Sequence, residues 1–178
     1  MKPASVALDA ILKALEGADV HVALRTDLSG RNSGAVFSRP AEYRYLLWRI
    51  WDPSRPLWSF GMLNPSTADH EVVDPTIARC IKRAEAGGAG GLIVWNLFAY
   101  RATKPEDMKA VEDPVGPFND RAIQIAVGET VLNIAAWGVH GVHNDRDETV
   151  LRELAKNRVS LHALAFSASG FPRHPLYL

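Results

Sequence analysis

Neutral polar side chains follow the short apolar runs of this sequence, and together they could bind a planar ligand. Asn64 follows LWSFGML, Asn96 ends GLIVWN, and His174 lies near the end of the chain. An asparagine amide offers a donor and an acceptor side by side, which suits the edge of a nucleobase. Further residues at comparable places, just after an apolar run or near the end of the chain, are Pro65, Ser66, Phe98, Tyr100, Arg101, Ser169 and Arg173.

Motifs for nucleotide-cofactor and metal chemistry are absent from the sequence. It holds no GxGxxG and no GxxxxGK[ST], so no local motif supports dinucleotide binding or NTP hydrolysis. The single cysteine, Cys80, cannot form an internal disulfide or ligate an iron–sulfur cluster, and we expect it to be a buried small hydrophobic residue. Asp69, His70 and Asp74 lie close in sequence, so a metal site there stays open as an alternative. We predict no metal and no cofactor.

Charge and hydropathy narrow the class of protein. The net charge is zero, from 20 basic and 20 acidic residues, which argues against binding of nucleic acid mainly by bulk charge. A local basic patch stays open, and so does an enzyme that acts on small molecules. No apolar run approaches the roughly 20 residues of a membrane span, so we expect no membrane partner. A single thiol fits a reducing compartment, and we predict a cytoplasmic monomer.

The N-terminal half predicts a helix, a loop and a hairpin. At 178 residues the chain fits one domain, 1–178, in which residues 1–40 form an extension with an amphipathic helix and a polar loop at 26–40. The runs 43–51 and 57–63 predict two strands of a β-hairpin, because residues 52–56 have turn composition.

Strands and helices alternate after this hairpin. Asp74 and Pro75 predict the start of one helix, and Asn119 predicts the N-cap of another. Buried strands are predicted at 91–98 and 130–138 and a last strand at 160–166, separated by helices at 118–129 and 145–157. This alternation predicts an α/β fold with a parallel sheet and helices on both faces. In such folds ligands bind beyond the carboxyl ends of the strands, where the polar residues named above lie.

Four of these strand-end segments resemble motifs of the uracil-DNA glycosylase superfamily. GMLNPS (61–66) is similar to its first motif, and is closest to the mismatch-specific branch, where asparagine precedes the proline. LIVWN (92–96) resembles the strand whose asparagine reads a flipped uracil. IAAWG (134–138) resembles a third strand that ends in glycine, and RHPLY (173–177) resembles the histidine-proline loop that touches the base and the DNA backbone.

The chain also resembles a more specific family, an uncharacterised bacterial and phage domain of unknown function. The match covers Glu42 to the C-terminus and rests on GMLNPSTAD, DPTIARC, NLFAYRAT, PVGPFND and SGFPRHPLYL. This family names no activity, so the expected activity depends on the broader resemblance.

The glycosylase resemblance implies a fold and a set of roles. The fold is a three-layer αβα sandwich around a short parallel sheet, with an N-terminal helix and a β-hairpin. The activity is hydrolysis of the N-glycosidic bond of a flipped base in DNA. The expected substrates include modified bases and single-stranded DNA. The implied catalytic residues are Asn64 and His174, the base-binding residues are Asn96, Pro65, Phe98 and Tyr100, and the phosphate-binding residues are Ser66, Arg101, Ser169 and Arg173.

Two departures from that superfamily keep alternatives open. Asn64 stands where a related branch has aspartate, so it cannot supply a negative charge to the sugar. The segment 66–74 is polar and acidic rather than aromatic, which is unfavourable near a path of phosphates. An enzyme for free nucleotides or nucleosides on the same fold is therefore one alternative, and a non-catalytic nucleic-acid-binding module is another.

Overall fold

The structure, a computed structural model, describes residues 1–66 and 74–178. Within these ranges the chain forms a seven-stranded mixed sheet and five α-helices. The strands are β1 (His21–Thr26), β2 (Asn32–Phe37), β3 (Arg44–Ile50), β4 (Leu57–Met62), β5 (Gly91–Asn96), β6 (Leu132–Ala135) and β7 (Leu161–Ala163). The helices are α1 (Ala4–Ala14), α2 (Pro75–Ala86), α3 (Pro105–Lys109), α4 (Asn119–Gly128) and α5 (Arg146–Lys156). Short 3₁₀ segments span Val139–Asp145 and Pro175–Tyr177.

The strand order is β1-β2-β3-β5-β4-β6-β7. Strands β5, β4, β6 and β7 run parallel, as the alternation of strands and helices predicts, whereas β1, β2 and β3 add antiparallel neighbours beyond β5. From β4 the chain moves to one side to form β5 and then to the other side to form β6. The strand order therefore reverses between β4 and β6, which is where open α/β sheets leave a crevice for ligands.

Two predictions about the N-terminal half are wrong. The predicted loop at 26–40 contains β2, which pairs antiparallel with β1. Strands β3 and β4 form where expected but are not hairpin partners, because β5 lies between them, antiparallel to β3 and parallel to β4. The turn at 52–56 reverses the chain direction without pairing β3 with β4. Strand β5 is buried along its whole length and pairs with a strand on each edge.

The core has two hydrophobic clusters, one on each face of the sheet. Leu92 and Val94 of β5 pack with Ile77, Cys80 and Ala84 of α2. The alternate β5 residues pack in the other cluster with residues of α1, α4 and α5: Ile93, Trp95, Ile11, Ile123 and Leu154. Successive strand residues face opposite sides, so helices pack on both faces. Within the described ranges, no helix is both long and apolar enough to cross a membrane.

Asn119 does not cap α4, which corrects another prediction. It is the first residue of that helix, Phe118 occupies the cap position, and no side-chain cap hydrogen bond forms. Its side chain is fully buried, and its Nδ2 donates to the backbone carbonyls of Asn96 and Leu97 at 3.0 Å each. The Asn119 amide binds the end of strand β5, because the two backbone carbonyls there are buried and need hydrogen-bond donors.

Candidate functional site

A cleft of about 700 Å3 opens at the carboxyl ends of β4, β5 and β6. The parallel register aligns these ends, since Met62 lies beside Asn96 and Gly61 lies beside Ala135. The loops after these strands, the start of α2 and the C-terminal tail complete its walls. The cleft therefore lies at the point where the strand order reverses, and it is walled by residues that are far apart in sequence.

Half of the predicted site residues line this cleft. They are Asn64, Ser66, Asn96, Arg173 and His174, which come from three of the four predicted strand-end segments. The segment after β6, the remaining one, contributes Trp137 and Gly138.

The other predicted site residues lie outside the cleft lining. Phe98 is fully buried in the core, where its ring lies 5.6 Å from that of His143. Tyr100 packs edge-on against Tyr43. Arg101 stacks over the ring of Phe37 and donates to a backbone carbonyl, Pro65 is buried, and Ser169 is exposed. Side chains that follow a strand point in different directions, because the backbone turns there. A residue that follows a strand end in sequence therefore does not always reach the cleft.

The side-chain nitrogen of Asn64 is hydrogen-bonded within the protein, whereas its side-chain oxygen is available to a ligand. Its Nδ2 donates to the carbonyl of Ala102 at 2.8 Å and to that of Pro65 at 3.2 Å. The Ala102 N–H in turn donates to the Pro65 carbonyl, so these bonds tie the loop after β4 to the segment after β5. The Oδ1 of Asn64 is then the atom that can accept a hydrogen bond from a water or a ligand.

Asn96 presents a complete amide to the cleft from the last residue of β5. The residue is only 2% exposed, yet no other described residue hydrogen-bonds to its side chain. Val94, two residues earlier on the same face, also lines the cleft. Leaving a buried amide without partners costs about 1–3 kcal/mol, so its donor and acceptor are suited to a ligand.

His174 is held as a neutral hydrogen-bond donor. Its Nδ1 accepts from the Leu176 N–H at 3.3 Å, which places the ring hydrogen on Nε2. Burial lowers the pKa of His174, and the nearby charge of Asp74 opposes this effect only in part. At neutral pH the Nε2–H group therefore donates without a net charge on the ring.

Other buried polar atoms of the lining also have no hydrogen-bond partner within residues 1–66 and 74–178. Nε1 of Trp137 and Oγ of Ser66 are examples. Gly141 leaves room for the Trp137 indole, because a Cβ at Gly141 would lie 2.4 Å from its Cδ1 atom. From the sequence, Trp137 is the tryptophan that its strand-end position suggests for a pocket, although it is not among the predicted site residues.

The chain matches a known protein family over most of its length. The family described as Protein of unknown function (DUF1643) matches residues 44–176. The chain belongs to this family. No curated protein and no solved structure matches it. The DUF1643 region begins at β3 and ends in the tail, so it contains nearly all of the cleft lining, whereas α1, β1 and β2 precede it. The resemblance to an uncharacterised family is thereby confirmed, and the broader resemblance to uracil-DNA glycosylases stays a prediction.

The DUF1643 cleft also contains acidic and basic side chains that the predicted site lacked. Arg44, Asp74, Glu106 and His140 all line it. Asp74 is the N-cap of α2, as predicted, and its Oδ1 accepts from the Ile77 N–H at 2.8 Å, which leaves Oδ2 for the cleft. Arg44 was not predicted, and the sequence signal that could have indicated it is a charged residue at the start of the apolar run 43–51.

The possible metal site of the sequence analysis lies mostly outside the described residues. Asp69 and His70 lie outside the described residues, and only Asp74 of that group lines the cleft. Elsewhere in the part of the chain that the structure describes, no group of three or more His, Cys, Asp or Glu side chains could hold a metal ion. Cys80 is buried against the sheet, and burial raises the pKa of its thiol to about 12, so it is unsuited to act as a nucleophile.

Proposed function

We propose that this protein hydrolyses the N-glycosidic bond of a flipped base in DNA, modified or not, on a three-layer fold like that of uracil-DNA glycosylases. The observation that carries the proposal is the meeting of Asn64, Asn96 and His174 in one cleft. Each comes from a different segment, and each has a hydrogen-bonding group that the described protein residues leave available. The reversal of strand order between β4 and β6 supports the fold.

The base is recognised through its hydrogen-bonding edge. Asn96 donates and accepts along that edge, because its amide carries both groups and is shielded from bulk water. A flipped base is enclosed by such polar groups and by apolar or aromatic side chains. The apolar walls of this cleft include Met62, Val94 and Phe171, which contact the faces of a planar ring.

Hydrolysis follows from the groups on either side of the base. The Oδ1 of Asn64 orients a water, which attacks C1′ of the sugar. The C1′–N bond breaks, and its electron pair passes to the departing base. The neutral His174 donates through Nε2–H to the negative charge that develops on the base, as oxyanion-stabilising donors do.

Asp74 supplies the negative charge that Asn64 lacks. Its Oδ2 faces the same cleft, where a carboxylate stabilises positive charge on the sugar and accepts the proton that the attacking water loses. The departing base takes up a proton from solvent, so the reaction is balanced without a cofactor.

A second candidate, an enzyme for free nucleotides or nucleosides, is favoured by the carboxylates of the cleft. Asp74 and the exposed Glu106 both line it, and negative groups repel the successive phosphates of a DNA strand. A free nucleotide brings fewer phosphates and can keep them away from these side chains.

Base release tests the proposal. The protein is incubated with single- and double-stranded oligonucleotides that contain uracil, hypoxanthine, hydroxymethylated or glucosylated bases, and with the matching free nucleosides and nucleotides. Released bases are identified by mass spectrometry. Asn64→Ala, Asn96→Ala and His174→Ala should abolish release, whereas the exposed Asn157→Ala and His162→Ala should not.

The outcomes separate the candidate functions. Release from an oligonucleotide that is lost in the three cleft variants supports the glycosylase. Turnover of free nucleosides or nucleotides alone favours the second candidate. No release from any substrate by folded protein contradicts hydrolysis, and salt-dependent DNA binding without release would then indicate a binding module.

A further inference from the structure

Arg44 introduces a buried positive charge into a cleft whose proposed base-contacting groups, Asn96 and His174, are neutral. It is the first residue of β3, only 6% exposed, and it lines the cleft together with Asn96. Its N–H donates to the carbonyl of Ala99 at 2.9 Å, which places it just beyond the end of β5. The guanidinium therefore lies beside the residue that would read the base, and not on the exterior of the sheet.

The described residues that act electrostatically on Arg44 include two cations and a carboxylate. Burial lowers the pKa of Arg44 to about 10, and the nearby cations Arg101 and Arg49 add to this effect. Among the described residues, Asp74 is a carboxylate that opposes it. Arg44 is thus a buried cation that lines the cleft, and an anion that enters the cleft is attracted to it.

We propose that Arg44 binds a phosphate group of the ligand, so that the cleft recognises a nucleotide rather than a bare nucleoside or base. The proposal rests on the proposed function in taking this cleft to be the ligand site. The planar fork of an arginine donates two parallel hydrogen bonds to phosphate oxygens, which fixes direction as well as charge.

The strand order separates this phosphate site from the chemistry at the glycosidic bond. Arg44 enters from β3, on one side of Asn96, whereas the tail with His174 reaches the cleft from the far side, beyond β6 and β7. A ligand in the cleft can thus contact Arg44 and His174 from different elements of the fold. The phosphate belongs either to a DNA backbone or to a free nucleotide, since both offer the same oxygens to an arginine.

Binding without turnover tests the phosphate site on the intact chain. Calorimetry compares deoxyuridine, deoxyuridine 5′-monophosphate, a single-stranded trinucleotide with a central deoxyuridine, and inorganic phosphate. In the same titrations, ¹⁵N NMR follows the side-chain Nε–H signals of the arginines. Wild-type protein should bind the monophosphate or the trinucleotide about tenfold more tightly than the nucleoside, because a charge-assisted contact is added.

Three variants assign this preference to Arg44. Arg44→Gln should abolish the preference for phosphate, and Arg44→Lys should keep part of it, since an ammonium keeps the charge and loses the fork. Arg49→Gln is the matched control, because Arg49 is an equally buried arginine of the same strand that does not line the cleft. If Arg44→Gln does not fold, the shift of the Arg44 Nε–H signal in wild-type protein on addition of phosphate decides the question.

Each outcome bears on the proposal. Equal affinity for nucleoside and nucleotide in wild-type protein overturns it, and so does an undiminished preference in Arg44→Gln. A preference for the trinucleotide identifies a DNA phosphate, and a preference for the monophosphate identifies a free nucleotide. Phosphate binding at Arg44 without any base release keeps this inference and rejects the glycosylase, so the two failures are distinguishable.

Discussion

The side chain of Asn119 holds the strand end that carries Asn96, because Asn119 Nδ2 donates to the Asn96 carbonyl oxygen at 3.0 Å. The same Nδ2 reaches the next carbonyl, and the buried Arg146 donates to that second carbonyl through Nε at 2.8 Å. Two side chains from α4 and α5 therefore fix the backbone at the floor of the cleft from the opposite face of the sheet. The orientation of the Asn96 amide depends on helices that do not line the cleft themselves.

Replacement of Asn119 by alanine should destabilise the protein and disturb the cleft. Two buried carbonyls lose a donor, so we expect a loss of about 1–3 kcal/mol in the free energy of unfolding. Urea unfolding measures the loss, and faster amide exchange at Leu97 and Phe98 reports the loosened strand end. The exposed Asn157→Ala is the control. Unchanged stability in Asn119→Ala would contradict this role.

Substitutions at Asp74 should separate its cap from its charge. Asp74→Ala removes the N-cap and should cost about 1 kcal/mol, whereas Asp74→Asn keeps a good cap and should be nearly as stable as wild type. Both should lose base release, because both lack the carboxylate. Asp74→Asn should also lower the pKa of His174, since Asp74 raises it in the wild type. Glu106→Gln removes another carboxylate of the lining and serves as the control.

The three Asp74 measurements are independent of one another. Unfolding reports the cap, NMR titration of the imidazole reports the electrostatic effect, and the base assay reports the chemistry. An unchanged pKa of His174 in Asp74→Asn argues against the electrostatic link even if no activity is found.

Stability should depend on pH through His174. Burial lowers its pKa in the folded protein, so protons bind more readily to the unfolded chain. The stabilisation that results is present above the unfolded value of about 6.5 and is lost as the pH falls through the lower folded value. Between pH 7.5 and 5.5, wild-type protein should lose more stability than His174→Gln. Parallel curves for the two proteins would be inconsistent with a buried, neutral His174.

Gly141→Ala should displace Trp137 from the cleft wall. The added Cβ would lie 2.4 Å from Trp137 Cδ1 and 3.1 Å from Leu97 Cδ1, so the indole has to move. Such crowding typically costs about 1–3 kcal/mol, and tryptophan fluorescence should report the displaced ring. Gly128→Ala is the control, since its Cβ meets no atom within 4 Å at the end of α4, and it should be neutral or slightly stabilising. A Gly141→Ala protein as stable as Gly128→Ala would show that the wall adapts.

The tail that carries His174 should depend on two arginines of α2. Arg79 and Arg83 each donate to the Leu178 carbonyl at 2.8 Å, which attaches the end of the tail to the helix. The double variant Arg79→Gln/Arg83→Gln should release the tail and expose His174, so the pKa of His174 should rise toward its ordinary value. Lys82→Gln changes an exposed cation of the same helix and should leave that pKa as it is. An unmoved His174 signal in the double variant would assign the tail's position to other contacts.

Local patterns predicted the elements better than their pairing. Asp74 caps α2 as its residue type indicates, and the apolar run at 91–96 forms a strand buried on both faces. The hairpin between β3 and β4 was wrong because turn composition encodes a reversal and not the partner. The strand β2 was missed because Gly34 and its polar neighbours read as a loop, although Gly34 is needed where a Cβ would lie 2.2 Å from the Trp48 ring.

The candidate site was predictable only where strand ends determine it. Asn64, Asn96 and His174 line the cleft because carboxyl ends of parallel strands, and the tail that follows them, meet at one edge of the sheet. Phe98 and Tyr100 follow the same strand but face the core and Tyr43, since side-chain direction after a strand depends on local backbone turns. Arg44 was not foreseen, because its strand was assigned to the wrong neighbour.

By itself the sequence determined the α/β class, the alternation of strands and helices from β4 onward, and the membership of an uncharacterised family. These depend on hydrophobic periodicity, cap residues and motif order, which are local properties of the chain. Only the tertiary structure decided that β5 lies between β3 and β4, that Asn119 supports Asn96, and that Arg44 and Asp74 line one cleft. The physical reason is that strand pairing and burial are settled by contacts between distant segments, whose free energies no local pattern encodes.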